Sequence, residues 1–152
     1  MKLTTREDIE APIAEVYAAL SDHDAFEHAA LRRGAEVART ADGAAAEWDL
    51  AFRFRGKRRR LSLRQTEARA PDRLAFAVAG QQFEGDVEVD LVEMSRRRTR
   101  IIVNAEVRAL TLPARVMLQS ARLAQGKITR RFQTRVAEIA GAVETRLRGA
   151  RV

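Results

Sequence analysis

The sequence contains no cysteine and only three prolines among its 152 residues. Without cysteine, a disulfide framework and a thiolate-bound zinc site are both excluded. No apolar run is long enough for a membrane-spanning helix. The opening residues MKLTTREDIE are mostly polar or charged, whereas a signal peptide needs an apolar stretch. We therefore expect a soluble, unprocessed, cytoplasmic protein.

Aromatic residues make up only 5% of the chain, and only three of its 28 basic residues are lysines. The formal net charge of +7 favours anionic partners but identifies none. A chain of 17.0 kDa buries about 69% of its extended surface on folding, which is enough for one hydrophobic core. We expect a single domain over residues 1–152.

The spacing of apolar residues predicts the order of the secondary-structure elements. Alternation predicts a strand over residues 2–10, and helical spacing predicts two short helices between residues 12 and 32. The next roughly eighty residues alternate with a period of two and contain turn signals at Gly56-Lys57 and Pro71-Asp72, which predicts a meander of six antiparallel strands. From Leu112 to Arg148 the period is helical again, and we expect one continuous helix of about 50 Å.

This order predicts an α+β helix-grip fold, in which a curved seven-stranded antiparallel sheet wraps around a long C-terminal helix and two short helices follow strand 1. The opening residues Ile9, Ala11-Pro12, Val16-Tyr17 and Leu20-Ser21-Asp22 form a pattern that, with the terminal helix, resembles one known superfamily. It is the START-like or SRPBCC superfamily, which includes polyketide cyclases, birch-pollen-allergen-like proteins and coenzyme-Q-binding proteins.

The resemblance implies a cavity between the sheet and the long helix. Members of the superfamily bind lipids, isoprenoids, polyketides or other apolar molecules there, so we expect binding or transport of a hydrophobic or amphipathic small molecule. No cofactor or metal is implied. The chain matches no catalytic motif of the enzymes in the family, which favours binding over catalysis. A polyketide cyclase or dehydratase-type enzyme is the alternative.

The inward-facing positions of the strands and of the long helix predict the lining of this cavity. We expect it to contain Trp48, Leu50, Phe52, Leu63, Phe76, Val89, Val103, Ala121, Gln125 and Phe132. Gln125 lies within the apolar stripe of the predicted helix. It could orient a polar group of the ligand or form a hydrogen bond with a neighbouring side chain.

Three further polar residues share an inward face with apolar ones. Glu7 lies on the face of Leu3 and Ile9 and is the one weak candidate for a catalytic base. The alternative is a position near solvent with an arginine partner. Gln65 and Glu67 continue an apolar strand face in the same way, and the alternative for both is a solvated strand end.

Both histidines, His23 and His28, belong to the second short helix, beside Asp22, Asp24 and Glu27. Asp24 and His28, four residues apart, have a spacing that places two metal ligands on one helical face, whereas His23 and His28, five residues apart, do not. A solvated helix face is the simpler explanation of these residues. We therefore expect no metal site and no acid or base from either histidine.

The run of basic residues at 53–60 occupies a predicted hairpin near the entrance of the cavity. There Lys57, Arg58 and Arg59 would meet an anionic head group or an anionic membrane surface. A second basic run at 96–98 is predicted at the other end of the sheet, and stacking aromatics are few, which argues against a nucleic-acid groove. One alternative is a basic module that binds RNA, the ribosome or an acidic protein. The other is that both basic runs are solvated turns. The ligand, the pathway and the oligomeric state are not specified by the sequence.

Overall fold

A computed structural model describes residues 1–150 of the chain, so the last two residues of the predicted domain lie outside the described part. The strands are β1 (Lys2–Ile9), β2 (Glu36–Ala41), β3 (Glu47–Phe54), β4 (Lys57–Arg69), β5 (Arg73–Ala79), β6 (Phe83–Ser95) and β7 (Arg98–Ala109). The helices are α1 (Ile13–Leu20), α2 (His23–Arg32), α3 (Leu112–Arg122) and α4 (Gln125–Ala150), and a short 3₁₀ turn spans Gly43–Ala45.

The seven strands form one antiparallel sheet in the order β1-β7-β6-β5-β4-β3-β2. Two short helices follow β1, and the long helix α4 comes last, so the predicted α+β helix-grip architecture is confirmed. The turn between β3 and β4 consists of Arg55 and Gly56, which both have positive φ angles, of 53° and 74°. Two positive φ angles are the type I′ pattern, whose twist matches that of the flanking strands.

The prediction of one continuous helix from Leu112 to Arg148 is wrong, because the helix is broken between α3 and α4. The amides of Leu123 and Ala124 donate to carbonyls three residues back, so α3 ends in a tight turn. Gly126 then lies in the first turn of α4, where glycine costs about 1 kcal/mol relative to alanine. The 26 residues of α4 span about 39 Å instead of the predicted 50 Å.

The hydrophobic core occupies one half of the concave face of the sheet. Helix α4 packs against β1 and α1, and α1 also contacts β6 and β7. The buried cluster beneath it consists of Ile9, Ala11, Val16, Leu91, Ile101, Val103, Val136 and Ala140. Apolar side chains on the concave face of β3, β4 and β5 are only half-buried, among them Leu50, Leu61, Leu63 and Val78. The helix therefore leaves that half of the sheet open.

The outer face of the sheet is covered by ion pairs between arginines and carboxylates. Arg73 pairs with Glu67, Glu88 and Asp90 at 2.8–3.2 Å. The sequence placed Glu67 on the inward face with Gln65, and this prediction is wrong. The strand register shifts between these two residues, and one extra residue in a strand moves the following side chains to the opposite face.

Asp8 provides a test of these outer-face ion pairs. Its carboxylate accepts hydrogen bonds from Arg100 at 2.8 Å and from Arg98 at 2.6 Å. The bond from Arg100, followed by that from Arg98, lowers the pKa of Asp8 from 3.8 to about 2. Since the unfolded chain then binds more protons, these bonds stabilise the fold above about pH 4, and their contribution is lost as the pH falls towards 2.

We expect Asp8→Asn to lower the free energy of unfolding by about 1–2 kcal/mol near neutral pH. The difference from the wild type should shrink as the pH falls towards 2 and below, because the wild-type carboxyl then becomes protonated as well. Urea unfolding across this pH range measures it. The control is Asp49→Asn, since Asp49 is exposed and forms no ion pair with an arginine within residues 1–150. A pH-independent difference for Asp8→Asn would contradict the prediction.

Candidate ligand-binding cavity

A cavity of about 540 Å³ opens on the uncovered half of the concave face. It lies between the β3–β4 hairpin, strands β5 to β7 and helix α3. The apolar part of its wall consists of Phe52, Phe54, Leu61, Val78, Phe83, Val87, Ala105, Val107 and Met117. Small-molecule sites usually have volumes of about 300–1,000 Å³, so the cavity has the size of such a site. We call its opening beside Phe54, Lys57 and Met117 the mouth.

The three basic residues predicted at the entrance do not share one orientation. Successive side chains of a strand point to opposite faces. Lys57 and Arg59 are paired in register with Phe54 and Phe52 and lie on the concave face with them. The side chain of Arg58 lies on the outer face, where it forms an ion pair with Glu36. Of these three residues, only Lys57 and Arg59 therefore place positive charge on the concave face. Arg55 of the hairpin turn also lines the cavity, and its guanidinium lies 5.5 Å from the centroid of the Phe54 ring.

Three acidic residues contribute to the wall of the cavity, but their carboxylates lie beside an arginine on the outer face. Glu84 and Asp86 on β6 bind Arg108 of β7 at 3.2 and 2.7 Å. Glu106 lies 3.9 Å from the same guanidinium. Since Glu84 is opposite Arg108 in the register and Asp86 is opposite Glu106, all four side chains share the outer face. These carboxylates do not neutralise the cations on the concave face.

A second depression, of about 640 Å³, lies on the outer face across β2 to β5. Its wall includes Glu36, Asp49, Arg58, Arg60 and Ser62, and it is more open than the cavity on the concave face. Its wall also exposes less apolar surface than the wall of the concave cavity, so a ligand would gain less from burial there. The concave cavity is the better candidate for an apolar ligand.

Trp48 is one of the predicted lining residues, and its side chain is 1% exposed. Its indole Nε1 donates to Glu27 at 3.0 Å, and Glu27 also accepts from Arg39 at 2.6 Å. The pKa of Glu27 is lowered, mainly by the hydrogen bond from Arg39. The ring of Phe26 contacts the indole edge-on. Trp48 is thus held by α2 and anchors this helix to the sheet.

His23 lies against the sheet, so the prediction of a solvated face for this histidine is wrong. Its ring contacts Trp48 edge-on at 5.0 Å, and its Nε2 is 3.3 Å from Oε1 of the buried Gln65. The sequence missed this pair because α2 packs across β2 and β3, which the helical spacing alone does not reveal. His28 and Asp24 are exposed as expected. Residues 1–150 contain no group of three or more side chains that could hold a metal ion.

The ten predicted lining residues occupy three kinds of position. Phe52 lies in the wall of the cavity, and Leu50, Leu63 and Phe76 lie half-buried on the same face. Val103 belongs to the buried core, and Val89 and Phe132 pack against it. Ala121 is half-buried at the end of α3, whereas Gln125 is exposed because the helix break places it in the first turn of α4.

The sequence missed several residues of the wall, among them Val87, Ala105 and Met117. Val87 and Ala105 are inward positions of the predicted alternation and are opposite each other in the register, so the pattern contained a signal for both. Met117 could not be found, because its position depends on the break between α3 and α4. Glu7 is half-buried opposite Ile101 on the concave face and is not part of the cavity wall.

Trp48→Phe tests the bond between the indole and Glu27. The variant keeps an aromatic ring but removes the Nε1 donor, and we expect a loss of about 1–2 kcal/mol in the free energy of unfolding. Urea unfolding followed by circular dichroism measures it, with Phe26→Leu as a comparison that removes a ring contact and no hydrogen bond. An unchanged stability would show that Arg39 alone satisfies Glu27.

No family model and no curated protein matches the sequence. Solved structures do match the fold. A protein from Thermus thermophilus has a TM-score of 0.71 at 15% identity, covering 94% of this chain and 97% of that one. The Zhui aromatase/cyclase from a Streptomyces species also has a TM-score of 0.71 at 15% identity, with 99% and 97% covered.

A START superfamily protein from Mycobacterium smegmatis has a TM-score of 0.57 at 15% identity, with 91% and 98% of the two chains covered. These likenesses confirm the predicted helix-grip fold. In the described residues, no helix is both long and apolar enough to cross a bilayer.

Proposed function

We propose that this chain, which has the START-like helix-grip fold, binds a hydrophobic or amphipathic small molecule in the concave cavity. The observation that carries the proposal is the apolar wall of the cavity of about 540 Å³ that α4 leaves uncovered. Exposed apolar surface costs about 25 cal/mol per Å² in water, so a ligand that covers the wall gains this free energy on binding. Lipids, isoprenoids and polyketide-like molecules all have suitable surfaces.

The residues around the mouth support capture of an amphipathic ligand. Phe54 and Met117 remain 52% and 39% exposed there, and Lys57 lies beside them. An apolar edge with adjacent positive charge attracts a molecule that has both an apolar part and an anionic group. The source of such a molecule could be an anionic membrane, because each exposed basic residue near its surface contributes about 1 kcal/mol.

The geometry favours binding over cyclase chemistry. The Zhui protein is an aromatase/cyclase, but a likeness at 15% identity extends to the fold only. The candidate base Glu7 is outside the cavity wall, and the nearby carboxylates Glu84 and Asp86 are bonded to Arg108 on the outer face. A role in RNA binding is also less favoured, since the basic residues at 96–98 lie at the opposite end of the sheet from the β3–β4 hairpin.

Two measurements test the proposal. Native mass spectrometry of protein purified from its source should show a retained small molecule that organic solvent extracts. Titration of the delipidated protein with a neutral solvatochromic dye should give a saturable fluorescence increase with one site per chain. If no small molecule is retained and neither neutral nor anionic apolar probes bind, the proposed function is wrong.

A further inference from the structure

We infer that Arg59 binds the anionic group of an otherwise apolar ligand inside the cavity, so that the ligand is a carboxylate- or phosphate-bearing amphiphile. This inference rests on the proposed function and adds the ligand's class and orientation. Arg59 lies on β4, and its side chain is on the concave face beside Phe52. It forms part of the same wall as Val87, Ala105 and Val107.

The first supporting observation is one buried hydrogen-bond donor of Arg59, its Nε atom. The Nε atom of Arg59 is buried and has no hydrogen-bond partner within residues 1–150. A buried donor that lacks a partner costs about 1–3 kcal/mol, and more if it is charged. The neighbouring Arg58, in contrast, pairs with Glu36. An anion beside Arg59 would supply the missing acceptor.

The second observation is the charge balance of the cavity. Within residues 1–150, neither Lys57 nor Arg59 on the concave face forms an ion pair. Three carboxylate residues also belong to the wall, but their carboxylates are bonded or close to Arg108 on the other side of the sheet: Glu84, Asp86 and Glu106. In a partly desolvated site an uncompensated cation favours binding of an anion. The cations Lys57 and Arg59 are thus left at an apolar cavity without an ion-pair partner among the described residues.

The chemistry of arginine narrows the ligand class. The planar guanidinium donates two parallel hydrogen bonds to a carboxylate or a phosphate, both of which are negatively charged. An alcohol or an ester is neutral and cannot form such an ion pair. With the anionic group at Arg59, the apolar part of the ligand lies along Val87, Ala105 and Val107. Lys57, two residues nearer the hairpin turn on the same face, adds long-range attraction at the mouth.

The test compares three dansyl-labelled probes with the same alkyl chain: a fatty acid, an alkyl phosphate and the methyl ester of the fatty acid. In the Arg59→Met variant, which keeps an unbranched side chain without the charge, we expect the affinity for the two anionic probes to fall about tenfold or more. The affinity for the ester should change less than about twofold, because the apolar wall is intact. The ratio between the acid and the phosphate identifies which anion the site prefers.

Arg53→Met is the matched control. Arg53 belongs to the same hairpin and loses the same charge, but it lies opposite Arg58 on the outer face and away from the cavity. We expect all three probes to bind this variant as they bind the wild type. Arg59→Lys keeps the charge without the planar fork and should recover only part of the affinity.

The outcomes separate the two proposals. Equal weakening of the acid and the ester by Arg59→Met, with the fold intact by circular dichroism, would overturn the anion site and leave the proposed function standing. If Arg53→Met and Arg59→Met lowered the affinity for the anionic probes equally, only the net charge of the protein would matter. This result would also overturn the anion site at Arg59. Failure of the wild type to bind any of the probes would contradict the proposed function itself.

Discussion

Ala105→Trp is expected to weaken binding of a neutral apolar probe at least about tenfold while the protein remains folded. Ala105 is a half-buried residue of β7 that faces the cavity, with Val87 on one neighbouring strand and Leu3 on the other. An indole at this position extends over the wall and occupies the volume that a ligand would use. Because the side chain enters open space instead of a filled core, its cost in stability should stay below the roughly 1–3 kcal/mol of core overpacking.

The measurement is a titration with the neutral solvatochromic dye, in which we expect the dissociation constant to rise by at least about tenfold, or about 1.4 kcal/mol. Ala79→Trp is the control, because Ala79 is an exposed residue on the outer face of β5. It adds the same ring to the same sheet and should leave dye binding unchanged. Undiminished binding to a folded Ala105→Trp protein would show that the dye binds elsewhere.

The fold was predictable because periodicity reports which face of each element is buried. The alternation in residues 98–109, for example, predicted one buried and one solvated face, and β7 has both. The break between α3 and α4 was not predictable in this way. The helical spacing of apolar residues continues across the break, from Ala121 to Ile128, and a short turn changes the direction of the chain without interrupting this pattern.

The site was predicted less well than the fold because its details depend on contacts between distant residues. The register shift after Gln65 turns Glu67 outwards, although the local sequence alternates regularly. His23 meets Gln65 and Trp48 only because α2 crosses β2 and β3. The sequence shows the basic run at 53–60 as one cluster. The pairing of β3 with β4 places the side chain of Arg59 on the concave face and that of Arg58 on the outer face.

The close approach of β6 and β7 at Gly85 leads to the largest expected loss of stability. A Cβ atom added to Gly85 would overlap the carbonyl oxygen of Glu106 and would lie 3.7 Å from Cα of Val107. Both are backbone atoms of the neighbouring strand, so the ladder itself must open to accommodate a methyl group. These two strands also carry part of the core and part of the cavity wall, through Leu91 and Val87.

We expect Gly85→Ala to lower the free energy of unfolding by about 2–4 kcal/mol, which is at the upper end for a single substitution.

Gly141→Ala is the matched control, and we expect it to raise the free energy of unfolding. Gly141 lies in the interior of α4, and nothing is within 4 Å of an added Cβ there. Alanine should therefore stabilise the helix by about 0.5–1 kcal/mol, because it loses less backbone entropy on folding than glycine does. Urea unfolding of the two variants measures both effects. If Gly85→Ala were as stable as the wild type, the prediction would be wrong, because the overlap with the Glu106 carbonyl oxygen would then be relieved without loss of strand pairing.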